Sequence, residues 1–341
     1  MHRLVPPLAI CAVTWSGLHL VAWLGTLVGG SLGPASVRDA SFVRDFAVLA
    51  QRASPELGEH VRLAAGGALR PGDVHLSLIF LAVAKLAGHR SADLWLMSFS
   101  LLSYAGVFVL LFVWLGRRTD RATATAGVML FAAAPWSFRL SDGDPRGFAL
   151  LASIAALLLA ERGQRLGAGL AAAVGVLAHP VALATLPAVW RGDGGGAERR
   201  SAAVVRWAAM ILPMLALGAR WAVLGRGERF HLSACLGNFA IPSAAYLWLL
   251  APGLGFLLAG AALLARARDW RSLSLLLLQA VLLFVCDGFS AGRELWICVA
   301  AFLPLGVALA RSPLVLAGTT SALMLFQSLF FYLQTHHLPL P

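Results

Sequence analysis

The chain has 341 residues, 59% of them hydrophobic and 13% charged, with a formal net charge of +11 and a mean hydropathy of +0.79. A soluble domain carries roughly 25% charged residues, so this composition excludes a chain solvated on every side and points to a polytopic α-helical membrane protein. The basic excess is divided among short segments between apolar runs, which reads as membrane orientation and argues against nucleic acid as a partner.

A crossing helix needs roughly 20 apolar residues, fewer where neighbours shield it. The first candidate runs from Val5 to Gly30 and is too long for the apolar core of a cleaved signal peptide. Residues 31–91 then read as one long external loop. Within it, 40–52 places Phe42, Val43, Phe46 and Leu49 at helical spacing, an amphipathic helix lying on the membrane surface. Asp39 stands at its N-cap position. The apolar segment 74–88 carries Lys85, the only lysine, and is short enough to lie along the interface. Further spans are expected over 92–116, 122–138, 147–161, 167–178, 181–190, 203–224, 243–265, 272–287, 294–310 and 313–333.

Arginine sets the direction of threading. Arg117, Arg118 and Arg121 fill one loop, and Arg162 and Arg165 a second. Arg191, Arg199, Arg200 and Arg206 flank a third, glycine-rich one at 192–196; Arg266, Arg268 and Arg271 fill a fourth, and Arg311 marks a fifth. With all five cytoplasmic, the positive-inside rule holds throughout. Then 167–190 must be a shallow hairpin with His179-Pro180 at its apex, because arginines flank both its ends. The expected fold is all-α, a single integral membrane domain over 1–341. It has about eleven transmembrane helices, juxtamembrane helices in the first external loop and no separate soluble domain. Cys11, Cys235, Cys286 and Cys298 show no metal-ligand spacing and no disulfide framework. The three in apolar runs read as small buried hydrophobes.

On this topology the external face collects Asp39, Asp45, His75, Asp142, Asp144, Arg146, His179, Asp287 and Arg293. The densest group is Ser141-Asp142-Gly143-Asp144-Pro145-Arg146, set between two apolar segments. Ionisable groups at the mouth of a membrane bundle are costly to hold there and mark candidate sites. A carboxylate can take a proton from an attacking hydroxyl, and arginine can grip a phosphate with paired donors. Each residue also has a plainer role open to it: Asp39 as a cap, Asp142 and Asp144 as turn formers, His75 and His179 as structural groups.

At these positions the chain resembles the membrane-embedded GT-C glycosyltransferases, in the branch with protein O-mannosyltransferases, the lipid A aminoarabinose transferase and lipopolysaccharide sugar transferases. Arg38-Asp39-Ala40-Ser41-Phe42-Val43-Arg44-Asp45 resembles the acidic motif of their first external loop, with Ala40 where a second acid is usual. Val74-His75-Leu76-Ser77-Leu78 is similar to a His-Pro-Pro-Leu element, keeping only the histidine. Arg146-Gly147-Phe148-Ala149-Leu150 is similar to Arg-x-Tyr-Ala-Leu. Ala178-His179-Pro180 fits the following hairpin, and Gly292-Arg293-Glu294-Leu295-Trp296 with Pro304 resembles an Arg-Tyr-Leu…Pro helix.

The resemblance implies transfer of a sugar from a polyprenyl-phosphate donor to an acceptor on the external face of a bacterial inner membrane, with the N-terminus cytoplasmic. It implies Asp39, Asp142 and Asp144 as the catalytic acids, with Asp39 the general base. Arg146 and Arg293 would hold the phosphate, and His75, His179 and Asp45 would line the substrate site. A divalent ion, Mg or Mn, is optional in such enzymes, and the sequence does not decide whether one is used. The alternative is a non-catalytic membrane component, either an assembly partner or a lipid or solute carrier.

Overall fold

The computed structural model describes residues 5–28, 55–68, 76–88, 91–190, 200–224, 244–287 and 295–335. Among them are thirteen α-helices and no strand. Three helices, Ala92–Gly116, Ala203–Leu224 and Pro313–Phe331, are long and apolar enough to cross a membrane, and shorter apolar helices such as Val5–Leu20 and Trp270–Cys286 accompany them. The described residues thus have the character of a helical membrane protein. The expected surface helix at 40–52, the glycine-rich 192–196, Cys235, Asp39, Asp45, His75, Arg293 and the side chain of Asp287 all lie outside the described residues.

Helix ends follow local chemistry. Asp120 caps the Arg121–Ala133 helix, accepting the Thr123 N–H and the Thr123 hydroxyl, both at 2.9 Å. Asp269 repeats the device before Trp270–Asp287, accepting from Ser272 N at 3.1 Å and Ser272 Oγ at 2.6 Å. Each carboxylate satisfies a helix N–H that has no partner within the helix.

The span expected over 122–138 stops at Ala133 and continues as a 3-10 turn, Ser137–Ser141. Pro135 is the reason: the residue before a proline is driven out of the α region, and Ala134 sits at φ −58°, ψ 132°. The second leg of the expected hairpin likewise begins as a 3-10 turn, Pro180–Thr185, and is α-helical only over Leu186–Trp190. The segment expected over 294–310 contains two 3-10 turns, Leu295–Ile297 and Val299–Ala301, before the helix Phe302–Ala310.

The described residues gather into two compact units. The first draws on Met1–Gly67, Leu81–Gly147 and Gly306–Pro341. Here Ala92–Gly116 packs against Val5–Val28 and Arg121–Ala133, and Pro313–Thr335 lies against both of those. Its core is aromatic: Phe108 meets Phe131 edge-on at 5.4 Å, Trp136 stacks on Phe330 at 5.0 Å, and Phe138 meets Phe331 at 4.8 Å. Buried Gln327 donates to the Ala134 carbonyl at 3.0 Å and to Ser137 Oγ at 2.6 Å. That satisfies a carbonyl at the helix end that Pro135 creates.

The second unit draws on Ala68–Phe80 and Phe148–Leu305. Its tightest pairing is Arg165–Ala178 against Arg200–Leu224. A β-carbon at Gly169 would strike the Ala209 carbonyl oxygen and stand 2.6 Å from the Ala209 Cα. Ala168, Val189 and Ala209 close one end of this seam, and Ala173, Val176, Ala182 and Ala216 fill the rest. Small residues let helix backbones approach where lipid offers no hydrophobic drive for pairing. Cys11 and Cys298 are buried free thiols in the first and second units, and Cys286 is half-buried.

Candidate functional site

The acidic loop lies in the first unit. The Ser137–Ser141 turn carries the chain from the aromatic core, and the Pro145–Glu161 helix begins four residues later. Two bonds pin the loop to the Ala92–Gly116 helix: Ser100 Oγ donates to the Leu140 carbonyl at 3.0 Å, and the Gly143 N–H donates to Ser100 Oγ at 3.0 Å. Gly143 has φ +100°, and a β-carbon there would come within 2.8 Å of Leu57 Cδ1. Only glycine meets both demands at no cost. At Gly147 a β-carbon would come within 2.6 Å of the Leu140 carbonyl oxygen, so that glycine lets the start of the next helix close on the loop.

Asp144 is fully buried. Its Oδ1 accepts the Arg146 N–H at 2.8 Å, which makes it the N-cap of Pro145–Glu161 with proline at the first helical position, where no N–H is missed. Its Oδ2 accepts from Arg146 Nη1 at 2.9 Å and lies 4.0 Å from Arg139 Nε. Two buried guanidiniums therefore converge on one buried carboxylate, the setting in which charge-assisted bonds are strongest.

Asp142, 2% exposed, faces the other way. Its Oδ1 lies 3.1 Å from Nε2 of His19, on the Val5–Val28 helix. His19 Nδ1 lies 2.8 Å from the Trp15 carbonyl; a carbonyl only accepts, so Nδ1 carries a proton. The imidazole is flanked by Trp15 at 4.5 Å and Phe331 at 5.2 Å. Ser141 Oγ lies 2.7 Å from Asp142 Oδ1 and 2.6 Å from the Phe138 carbonyl, so its one hydrogen serves either. Asp142 Oδ2 is buried and accepts no hydrogen bond among the described residues.

His179, of the second unit, is buried and caps the 3-10 turn Pro180–Thr185, its Nδ1 accepting the Val181 N–H at 3.2 Å. Beside it, the buried Arg220 donates to the carbonyls of Leu177 at 3.3 Å and Ala178 at 2.9 Å. A guanidinium at a helix C-terminus complements the last carbonyls and the negative end of the dipole.

Of the residues expected at the site, Asp142, Asp144 and Arg146 share one loop. Sequence reasoning did not single out His19, Arg139 or Arg220 as site residues. His19 and Arg220 carried a signal: each is an ionisable residue within an expected span, which by itself marks a position worth explaining. Among the described residues no three His, Cys, Asp or Glu side chains gather as a metal group. Asp142 faces an imidazole and Asp144 faces guanidiniums, so both carboxylates already have hydrogen-bonding neighbours. Among the described residues this donor set does not fit Mg or Mn. The chain matches no family model, no curated protein and no solved structure.

Proposed function

We propose that this chain is a polytopic inner-membrane glycosyltransferase, with about eleven crossings and a cytoplasmic N-terminus. It would move a sugar from a polyprenyl-phosphate donor to an acceptor at the external face. One observation carries the reading: an eight-residue stretch, 139–146, holds two buried carboxylates, Asp142, whose Oδ2 accepts no hydrogen bond among the described residues, and Asp144, on which the guanidiniums of Arg139 and Arg146 converge. Inverting transfer develops positive charge on the sugar and negative charge on the departing phosphate, and groups of these two kinds stabilise both.

In this account Asp142 accepts the proton of the attacking hydroxyl, and Arg146 with Arg139 faces the phosphate. Asp144 aims Arg146 and does no bond chemistry. Asp39 remains the alternative base, and the resemblance implies Asp45, His75, His179 and Arg293 as further substrate-binding residues. The membrane lipid itself would present the polyprenyl tail.

The test is mass spectrometry of envelope glycolipids and polysaccharides from a deletion strain, complemented with wild type, Asp142→Asn or Asp39→Asn. A sugar that is missing in the deletion, returns with wild type and fails to return with at least one of the two variants supports the reading. An unchanged glycan profile in the deletion strain overturns it.

A second reading has its own observation. Asp144 is fully engaged as a helix cap and as the partner of Arg146, and Asp142 is paired with His19. Such a loop also serves as a buried fastener in a non-catalytic assembly partner or carrier. Full restoration by both Asp142→Asn and Asp39→Asn favours that role.

A further inference from the structure

We propose that His19 is the positioning residue of Asp142, and that the two hold one proton between them. The inference deepens the glycosyl-transfer reading and rests on it for its catalytic consequence. The pairing itself stands on geometry.

His19 Nδ1 is committed to the Trp15 carbonyl at 2.8 Å as a donor. Nε2 and Asp142 Oδ1, 3.1 Å apart, would otherwise meet lone pair to lone pair, so a proton must lie between them. The pair is thus either imidazolium with carboxylate or imidazole with carboxylic acid. A buried carboxylate needs a hydrogen-bonded partner, and His19 supplies one. The contact also fixes the carboxyl rotation. Oδ1 is tied to the imidazole, which leaves Oδ2 as the atom that accepts no bond among the described residues.

Other buried titratable or charged groups on the elements packed around the pair are Cys11 on the helix of His19, Tyr104 on Ala92–Gly116, His60 on Pro55–Ala64, and Arg139, Asp144 and Arg146 on the loop. From Pro313–Thr335 the facing side chain is Phe331, which does not titrate.

In the transfer step the acceptor hydroxyl gives its proton to Asp142 Oδ2 while its oxygen bonds the anomeric carbon. The bond from that carbon to the phosphate oxygen breaks, and its electron pair leaves with the polyprenyl phosphate. His19 touches neither sugar nor acceptor; it holds the Asp142 carboxyl turned.

Two measurements on the full chain in phospholipid vesicles test this. In magic-angle NMR of protein with ¹⁵N-labelled histidine, the His19 resonances are those missing from His19→Gln. In wild type near neutral pH, both ring nitrogens should report the shared proton. In Asp142→Asn the ring should collapse to the neutral form protonated on Nδ1. A His19 ring unaltered by Asp142→Asn overturns the pairing.

The second measurement is the rate of polyprenyl phosphate release from polyprenyl-phosphate-sugar lipids extracted from the source cells. His19→Gln keeps a neutral donor, and His19→Leu keeps only bulk. The rate near neutral pH should fall about 100-fold in His19→Leu and less in His19→Gln, the scale of a general-base contribution. An equal loss in His19→Gln and His19→Leu, or an unchanged rate in both, overturns the positioning role and leaves glycosyl transfer standing. If wild type itself releases no polyprenyl phosphate, the glycosyl-transfer reading falls, and the NMR result alone decides the pair.

Discussion

Around Asp142 and Asp144 the first unit buries two carboxylates, one paired with the imidazole of His19 and the other with the guanidiniums of Arg139 and Arg146. Between Arg165–Ala178 and Arg200–Leu224 the second unit buries mainly alanine, glycine and short aliphatic groups. The polar loop is held by a few bonds that are costly to remove singly, since each loss strands a charge. The small-residue seam is held by close backbone approach, and adding atoms harms it more than removing polarity does. A loop of the first kind fixes particular side chains in particular directions, which is what a site requires. A seam of the second kind fixes the distance between two helices.

The largest expected effect follows from breaking the polar loop. Asp144→Ala removes the cap of Pro145–Glu161 and leaves Arg146 and Arg139 buried without that carboxylate, a loss of about 3–5 kcal/mol for one partner of a buried pair. Asp144→Asn keeps an oxygen for the Arg146 N–H and should recover the capping share, about 1 kcal/mol. Unfolding in mixed detergent micelles separates the two. Equal stability of the two variants would mean that the ion pair, and not the cap, accounts for the whole effect. The seam sharpens the contrast from the opposite side. Gly169→Ala would push a methyl into the backbone of Ala209 and force the helices apart, costing about 1–3 kcal/mol. Gly218, in the same helix as Ala209, has nothing within 4 Å of an added β-carbon, so Gly218→Ala should gain up to about 1 kcal/mol. Two glycine-to-alanine changes of opposite sign in one unit would isolate close approach as the cause.

The sequence carried the helical architecture because apolar length is a local signal. The helix Ala92–Gly116 agrees with its expected bounds, and Pro145–Glu161, Arg165–Ala178 and Arg200–Leu224 come within three residues of theirs. What was passed over was also local: Pro135 stops a helix at Ala133, and the 3-10 turn that follows delivers Arg139 and Asp142. At the site, Asp142, Asp144 and Arg146 were legible as charges in apolar surroundings. Asp144 also performs the turn-forming role open to it in Asp-Gly-Asp-Pro, as an N-cap ahead of proline. The partnership of His19 with Asp142 was not legible, because 123 positions separate them. No periodicity links two residues that meet only through packing of Val5–Val28 on the loop.

The smallest effect tests a carboxylate of the opposite kind, exposed and capping a helix. Asp120 accepts first the Thr123 N–H and then the Thr123 hydroxyl, and these bonds hold its carboxyl below the ordinary carboxylate value against a small opposing cost of desolvation. A group whose folded value is lowered contributes stability above its unfolded value and loses it as the pH falls through the folded one. Asp120→Asn still offers an oxygen to Thr123 but cannot ionise. The difference in melting midpoint between wild type and Asp120→Asn should therefore be constant at neutral pH, favour wild type, and vanish in acid below the folded value. Taking the difference cancels every other carboxylate common to the two proteins, so the pH dependence that remains belongs to Asp120 alone. A difference that persists unchanged into strong acid would mean that the Thr123 bonds do not depend on the charge, and that Asp120 caps the helix by shape.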